Sequence, residues 1–144
     1  MTTIIVLRCQ NGLVVASDSQ ATAEKITSIK QKIFVPPGGN VLITGAGDSE
    51  QIKEFVGNVT CRDEYEDIKD VKKEVAETLA RFMEPVIPEG GLVSMPYYSR
   101  QLCLLYGAIL RDKSICVYHV NLDPNNYSIT LVQDAYFIHN WYVL

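Results

Sequence analysis

Several absences in this 144-residue chain each close off a class of function. No apolar run approaches the ~20 residues that a membrane-spanning helix requires. The first residues lack the basic flank and the small-residue cleavage site of a secretory signal, which leads us to expect a cytoplasmic protein. There is no excess of positive charge: the net charge is −4 and the lysines are scattered, so a nucleic-acid surface, which needs a basic stripe, is not expected. Cysteine is sparse. Cys9, Cys61, Cys103 and Cys116 form no C-x-x-C pair, and Cys9, Cys103 and Cys116 fall in strand-like runs where a free buried thiol is the plain reading. The two histidines, His119 and His139, sit in apolar surroundings with no partner at ligand spacing, so neither a metal site nor a cofactor is expected. Internal repeats and low-complexity tracts are also missing.

What remains has the balance of a globular chain with a core: 47% of residues are hydrophobic and 21% charged, which at this length fits one domain over residues 1–144. A β-branched apolar run begins almost at the first residue, with Thr2-Thr3-Ile4-Ile5-Val6-Leu7. It turns at Gln10-Asn11-Gly12, where Asn-Gly suits the positive-φ positions of a tight hairpin. The returning run ends in Ala16-Ser17-Asp18 and is expected to bring Asp18 back beside Thr2. Chain ends usually fray and carry little chemistry, whereas this one looks built in.

Taken in order, the pattern predicts strands over 3–9 and 13–17, a surface loop over 18–28, and strands over 29–35 and 41–44. In the third strand, alternation puts Lys30 and Lys32 on one face. Gly45-Ala46-Gly47 then leads into a helix start at Asp48-Ser49-Glu50, with an apolar stripe at Ile52, Phe55, Val56 and Val59. A second helix is expected over 65–83, with Ile68, Val71, Val75, Leu79 and Phe82 on one side and a solvated lysine–glutamate face on the other. After a Pro/Gly-rich loop over 85–99, three further strands are expected over 102–110, 114–121 and 127–139.

These residues suggest a specific chemistry. A threonine hydroxyl is a weak nucleophile and needs a base within hydrogen-bond reach. At a chain start the α-amino group can be that base, because its pKa of about 8 leaves a neutral fraction near pH 7. Lys32 beside Thr2 would disfavour protonation of that amine by like charge, and Asp18 would hold the lysine charged and oriented. The backbone N–H groups of Gly45, Ala46 and Gly47, at a helix start, could receive the oxyanion of an attacked peptide carbonyl.

Thr2-Thr3, Gly12, the run from Ala16 to Thr22, Lys32-Ile33 and Thr44-Gly45-Ala46-Gly47 together resemble the proteasome β-subunit family of N-terminal-nucleophile threonine hydrolases. Gln20, where an arginine is common in that family, looks more like the related bacterial peptidase. The resemblance implies an α+β fold of the αββα type, with two antiparallel sheets face to face between helix layers. The second helix layer is incomplete here, so either the C-terminal part is missing and the chain is truncated, or assembly hides the uncovered sheet face. It implies Thr2 as nucleophile after Met1 removal, Asp18 and Lys32 in support, and Gly47 or its neighbours as oxyanion site. It further implies that Thr22 and the segment Gly45, Ala46 and Gly47 bind a substrate backbone as an added strand. Lys30 is the fallback lysine, because the loop between Asp18 and Lys32 looks short. The implied partners are a peptide or unfolded protein substrate, a homo-oligomeric ring or other proteasome-like subunits, and an ATP-dependent unfoldase.

Each residue also has a plain reading. Thr2 is then a strand starter that permits methionine removal, Asp18 a turn cap, Lys32 a solvated strand residue, and the glycines backbone permissiveness before a helix. The corresponding alternative function is a non-catalytic or truncated proteasome-like subunit with an assembly or binding role. The uncovered sheet face and the aromatics Tyr136, Phe137, Trp141 and Tyr142 lead us to expect self-association.

Overall fold

The computed structural model describes residues 3–9, 12–18, 20–23, 26–60, 62–84, 102–123, 126–133 and 136–138. Thr2, Cys61, His139, Trp141, Tyr142, the 10–11 turn and the expected loop over 85–99 lie outside them. The elements run β1 Ile4–Cys9, β2 Gly12–Ser17, β3 Gln20–Ala23, β4 Ile26–Ile29, β5 Ile33–Phe34, β6 Val41–Gly47, α1 Ser49–Gly57, α2 Ile68–Met83, β7 Leu102–Ile109, β8 Ile115–Asp123, β9 Asn126–Val132 and β10 Tyr136–Ile138. All pairings are antiparallel. They build a three-stranded sheet in the order β10-β1-β2, a separate hairpin β3-β4, and a five-stranded sheet in the order β5-β6-β7-β8-β9. The fold is thus α+β, with two antiparallel sheets stacked on each other and both helices on the outer side of the larger sheet.

Alternation explains the layers. In β1, Ile4 and Val6 point inward and are buried, and they meet Ala46, Cys103, Leu105, Val117 and Val132 of the five-stranded sheet. The sheets approach so closely at Gly107 that an added Cβ would stand 3.0 Å from the Leu13 side chain across the gap. The opposite face of the larger sheet carries Val41, Ile43, Leu102, Leu104, Tyr106 and Tyr118, which pack under Ile52 and Phe55 of α1 and Val71, Val75, Leu79 and Phe82 of α2. Phe55 and Phe82 meet edge-to-face, with ring centroids 5.7 Å apart. On the outside of the smaller sheet Leu7 and Val14 stay exposed, and among the described residues no helix covers that face.

Four expectations change. The polar stretch after Asp18 is a hairpin rather than a loop, with the strand formers Thr22 on one side and Ile26, Thr27 and Ile29 on the other of a short connection. The long last strand is two strands: β9 closes the five-stranded sheet, and β10 crosses over to pair with β1, Phe137 opposite Ile5. The β1–β2 register pairs Cys9 with Gly12, so the hairpin loop is 10–11, Gly12 belongs to β2 with no positive φ, and Asp18 returns beside Thr3, one residue on from Thr2. The outer face of α2 is not wholly solvated, because Glu74 is fully buried. Its carboxylate accepts the Thr60 N–H at 2.9 Å and sits 3.2 Å from the Arg62 guanidinium and 3.5 Å from that of Arg81.

Candidate active site

The candidate site forms where the β1–β2 hairpin, the strap after β4 and the end of β6 converge. The hairpin ladder continues one step past Ile4 and Ser17: the Asp18 N–H donates to the Thr3 carbonyl at 3.1 Å. In return, the Thr3 N–H donates to Asp18 Oδ1 at 3.3 Å. That N–H belongs to the Thr2–Thr3 peptide group, so Asp18 grips the peptide bond that follows Thr2. Ser17 Oγ donates to the Asp18 carbonyl at 3.0 Å and fixes the strand end. Lys32 Nζ donates to the same Asp18 Oδ1 at 2.9 Å. The lysine side chain is 8% exposed and the aspartate 34%, so the cation is the more deeply held partner.

Lys30 and Lys32 do not share a strand face. Both lie outside β5, which begins at Ile33. Lys30 turns to the start of α1, with Nζ 3.1 Å from Ser49 Oγ and 3.6 Å from Glu50 Oε1. Only Lys32 meets Asp18. A charged side chain this deep needs its partner, which a surface reading of the sequence does not convey.

Gly45, Ala46 and Gly47 are not a lead into the helix but the last part of β6, paired with Leu104, Cys103 and Leu102 of β7. Asp48 follows as the N-cap of α1, accepting from the N–H groups of Glu50 at 2.8 Å and Gln51 at 3.2 Å. Two physical demands select glycine here. A Cβ on Gly45 would stand 2.5 Å from the Leu104 side chain and 3.0 Å from the Cys103 carbonyl, and Gly47 has φ +130. The Ile109 N–H donates to the Asn40 carbonyl at 2.9 Å, which sets the alternation along β6. By that alternation Ala46 is bonded to β7, while the backbone groups of Gly45 and Gly47 point to the other edge. There β5 stops at Ile33, opposite Thr44, so among the described residues no strand pairs with β6 beyond it. Thr22 lies in β3, its backbone paired with Thr27.

One pairing escaped the sequence. Cys103 on β7 and His119 on β8 are offset diagonally across the ladder, and Sγ lies 2.9 Å from Nε2. Burial pushes the Cys103 thiol up to about 12 and holds the His119 imidazole below its ordinary value. The pair is therefore a neutral thiol beside a neutral imidazole. A nucleophilic cysteine needs the thiolate, so this arrangement is not set up for attack. Sequence spacing could not reveal it, since the two residues are joined only by strand register. Among the described residues, no group of three or more His, Cys, Asp or Glu side chains could hold a metal ion. No described helix is long and apolar enough to cross a membrane.

No protein-family model matches the chain, and no curated protein is similar to it in sequence. Solved structures do match. Anbu from Hyphomicrobium sp. strain MC1, in a Gly-1 mutant, superposes with TM-score 0.66 at 12% identity, over 98% of this chain and 60% of that one. Anbu from Yersinia bercovieri, described as an ancestral beta-subunit, gives TM-score 0.63 at 17% identity over 95% of this chain. A further structure of the Hyphomicrobium protein gives 0.58 at 13%. The chain spans about 60% of the length of these structures. The assignment to the proteasome β-subunit family, with the bacterial peptidase as its nearest branch, is corrected by these findings. The neighbours are Anbu proteins, and identities of 12–17% speak for the fold and not for membership. The physical reason is that one fold is shared by very different sequences, so short motifs on a single hairpin do not select a branch. What the likeness shows is the fold of these structures, with two stacked antiparallel sheets and helices.

Proposed function

We propose that the chain is a single-domain subunit of a peptide-bond hydrolase that uses Thr2 as an N-terminal nucleophile once Met1 has been removed. The observation that carries this reading is Asp18 Oδ1, which accepts from both the Lys32 ammonium at 2.9 Å and the Thr3 N–H at 3.3 Å. One carboxylate oxygen thereby ties a poorly exposed cation to the peptide group next to Thr2. Removal of Met1 frees the Thr2 α-amine. That amine takes the hydroxyl proton as Oγ1 attacks the substrate carbonyl, and the nearby Lys32 charge keeps the amine from being protonated beforehand. The tetrahedral oxyanion is received by an N–H on the open edge of β6. By alternation Gly45 and Gly47 both present their N–H groups there, whereas Ala46 is turned toward β7. Collapse expels the amine product, which takes the proton from the α-ammonium and leaves an ester on Thr2. Water, deprotonated by the same amine, then hydrolyses the ester.

The substrate is an extended or unfolded peptide, added as a strand beside β6, with Thr22 on the β3 side. The likeness to a protein described as an ancestral beta-subunit supports an assembly of such subunits, which we place in the cytoplasm. If the sites are enclosed there, an ATP-dependent unfoldase would supply unfolded substrate. The test is hydrolysis of short fluorogenic peptides: Thr2→Ala should abolish it with the fold intact, and Thr2→Ser should keep part of it. Hydrolysis surviving in Thr2→Ala would remove this reading. The same Thr3 N–H to Asp18 bond also favours a second reading. In it Asp18 and Lys32 clamp the hairpin in a non-catalytic subunit, and no peptide is cleaved by either form.

A further inference from the structure

The β3–β4 hairpin pairs with no other strand among the described residues. A lone two-stranded hairpin of four residues a side is marginal in water and gains stability from a third strand. At the far edge of the five-stranded sheet, β9 is paired among the described residues on its β8 side alone. Its seven residues, Asn-Tyr-Ser-Ile-Thr-Leu-Val, include no charge and no proline, the usual devices that blunt an edge. Among the described residues the chain therefore carries one element short of a strand partner and one open edge able to supply it.

We infer that the β3–β4 hairpin of one copy docks on the β9 edge of a second copy, forming a head-to-tail contact. Register says which side of the hairpin is available. Ala23 opposite Ile26 leaves two residues between them and closes the turn as a hydrogen-bonded pair, so Thr22 and Thr27 direct their backbone groups outward. Thr22 belongs to the edge we assign to substrate. The β4 edge, with Thr27, is left for the partner. Neither β4 nor β9 contains a charged residue, so their approach meets no like-charge repulsion. The two surfaces differ, so the contact is heterologous and repeats from copy to copy, closing into a ring where the rotation permits. The base of the hairpin is the Asp18–Lys32 pair, since β3 follows Asp18 and β4 precedes Lys32. Docking then braces that pair. This last step rests on the catalytic reading above, whereas the contact itself does not.

Sedimentation velocity on the full chain tests the contact. Wild type should associate at micromolar concentrations. Thr27→Pro removes an outward N–H at an edge position where proline is tolerated, and Thr130→Lys places a charge on the exposed side of β9. Each should weaken association by about tenfold or more, the scale of losing one or two interface hydrogen bonds, with the circular dichroism spectrum unchanged. Mixed together, the two variants should form a one-to-one dimer, because one keeps an intact β9 and the other an intact hairpin. A monomeric wild type, or a mixture no more associated than its components, would overturn the proposal. If Thr27→Pro does not fold, a Thr130→Lys chain that associates like wild type overturns it as well. These outcomes do not depend on peptide hydrolysis, so they separate a failed contact from a failed active-site reading.

Discussion

Replacing Lys32 by alanine, with Lys30→Ala as its control, examines the electrostatics of the candidate site most closely. Lys32 Nζ lies 2.9 Å from Asp18 Oδ1, a gross attraction of ~6 kcal/mol at an effective dielectric constant of about 20. Desolvation of a side chain only 8% exposed offsets most of this. Asp18 is 34% exposed and can recruit water when the lysine is lost. The expected loss of folding stability is therefore ~1–3 kcal/mol, between the values for surface and buried pairs. The effect on catalysis should be larger. Removing a preorganised charge beside the reacting groups costs ~10²–10³-fold in rate, or ~3–4 kcal/mol of barrier. Lys30 instead holds an exposed pair at 3.6 Å with Glu50, itself 70% exposed, so Lys30→Ala should change stability by less than ~1 kcal/mol. Its hydrolysis rate should stay near that of wild type. The assay is urea denaturation for each variant beside steady-state cleavage of a fluorogenic peptide, compared as kcat/KM. Equal losses in the two variants, or a larger one in Lys30→Ala, would refute the reasoning.

Other outcomes follow from the packing. Gly45→Ala should destabilise by ~1–3 kcal/mol, because its Cβ meets a backbone carbonyl at 3.0 Å that cannot move as a side chain can; thermal melts check this. Gly47→Ala should cost ~1–3 kcal/mol at φ +130 and lower kcat with the substitution's distortion of the donor, read from melts and kinetics together. Glu74→Ala should cost ~3–5 kcal/mol in denaturant titrations, since it strands the Thr60 N–H and removes the buried carboxylate that Arg62 and Arg81 share. The folded state holds His119 below its unfolded pKa of about 6.5, so its contribution to stability is present above that pH and is lost as pH falls toward the folded value. Denaturant midpoints at about pH 7 and about pH 5 should differ by less in His119→Gln than in wild type.

How much was legible depended on whether the signal was local. The β-branched runs of β1 and β2 announced the first hairpin, and the stripe of Val71, Val75, Leu79 and Phe82 announced α2, because a periodic apolar face is written in the sequence itself. The sheets to which strands belong are not written there. β9 and β10 read as one run, and only tertiary pairing sends β10 to Ile4, Ile5 and Val6. β3 and β4 have too few apolar residues to announce themselves. Glu74 looked like one more charge on a solvated helix face, and only the structure shows it buried beside Arg81 of the same helix and Arg62 ahead of it. At the site, Asp18 and Lys32 stood out as a carboxylate and a lysine flanking a threonine start. Their separation from Lys30 required knowing where α1 begins, and the role of alternation at Gly45 and Gly47 required the β6–β7 register.

The central claim, that Thr2 acts through its own freed amine, is tested most directly by intact-protein mass spectrometry after treatment with a threonine-directed electrophile. The account predicts a chain that has lost Met1 and gained a single adduct, mapped to Thr2 by peptide sequencing and absent from Thr2→Ala. Peptide hydrolysis by protein that retains Met1 throughout, or an adduct on any other residue, would contradict it.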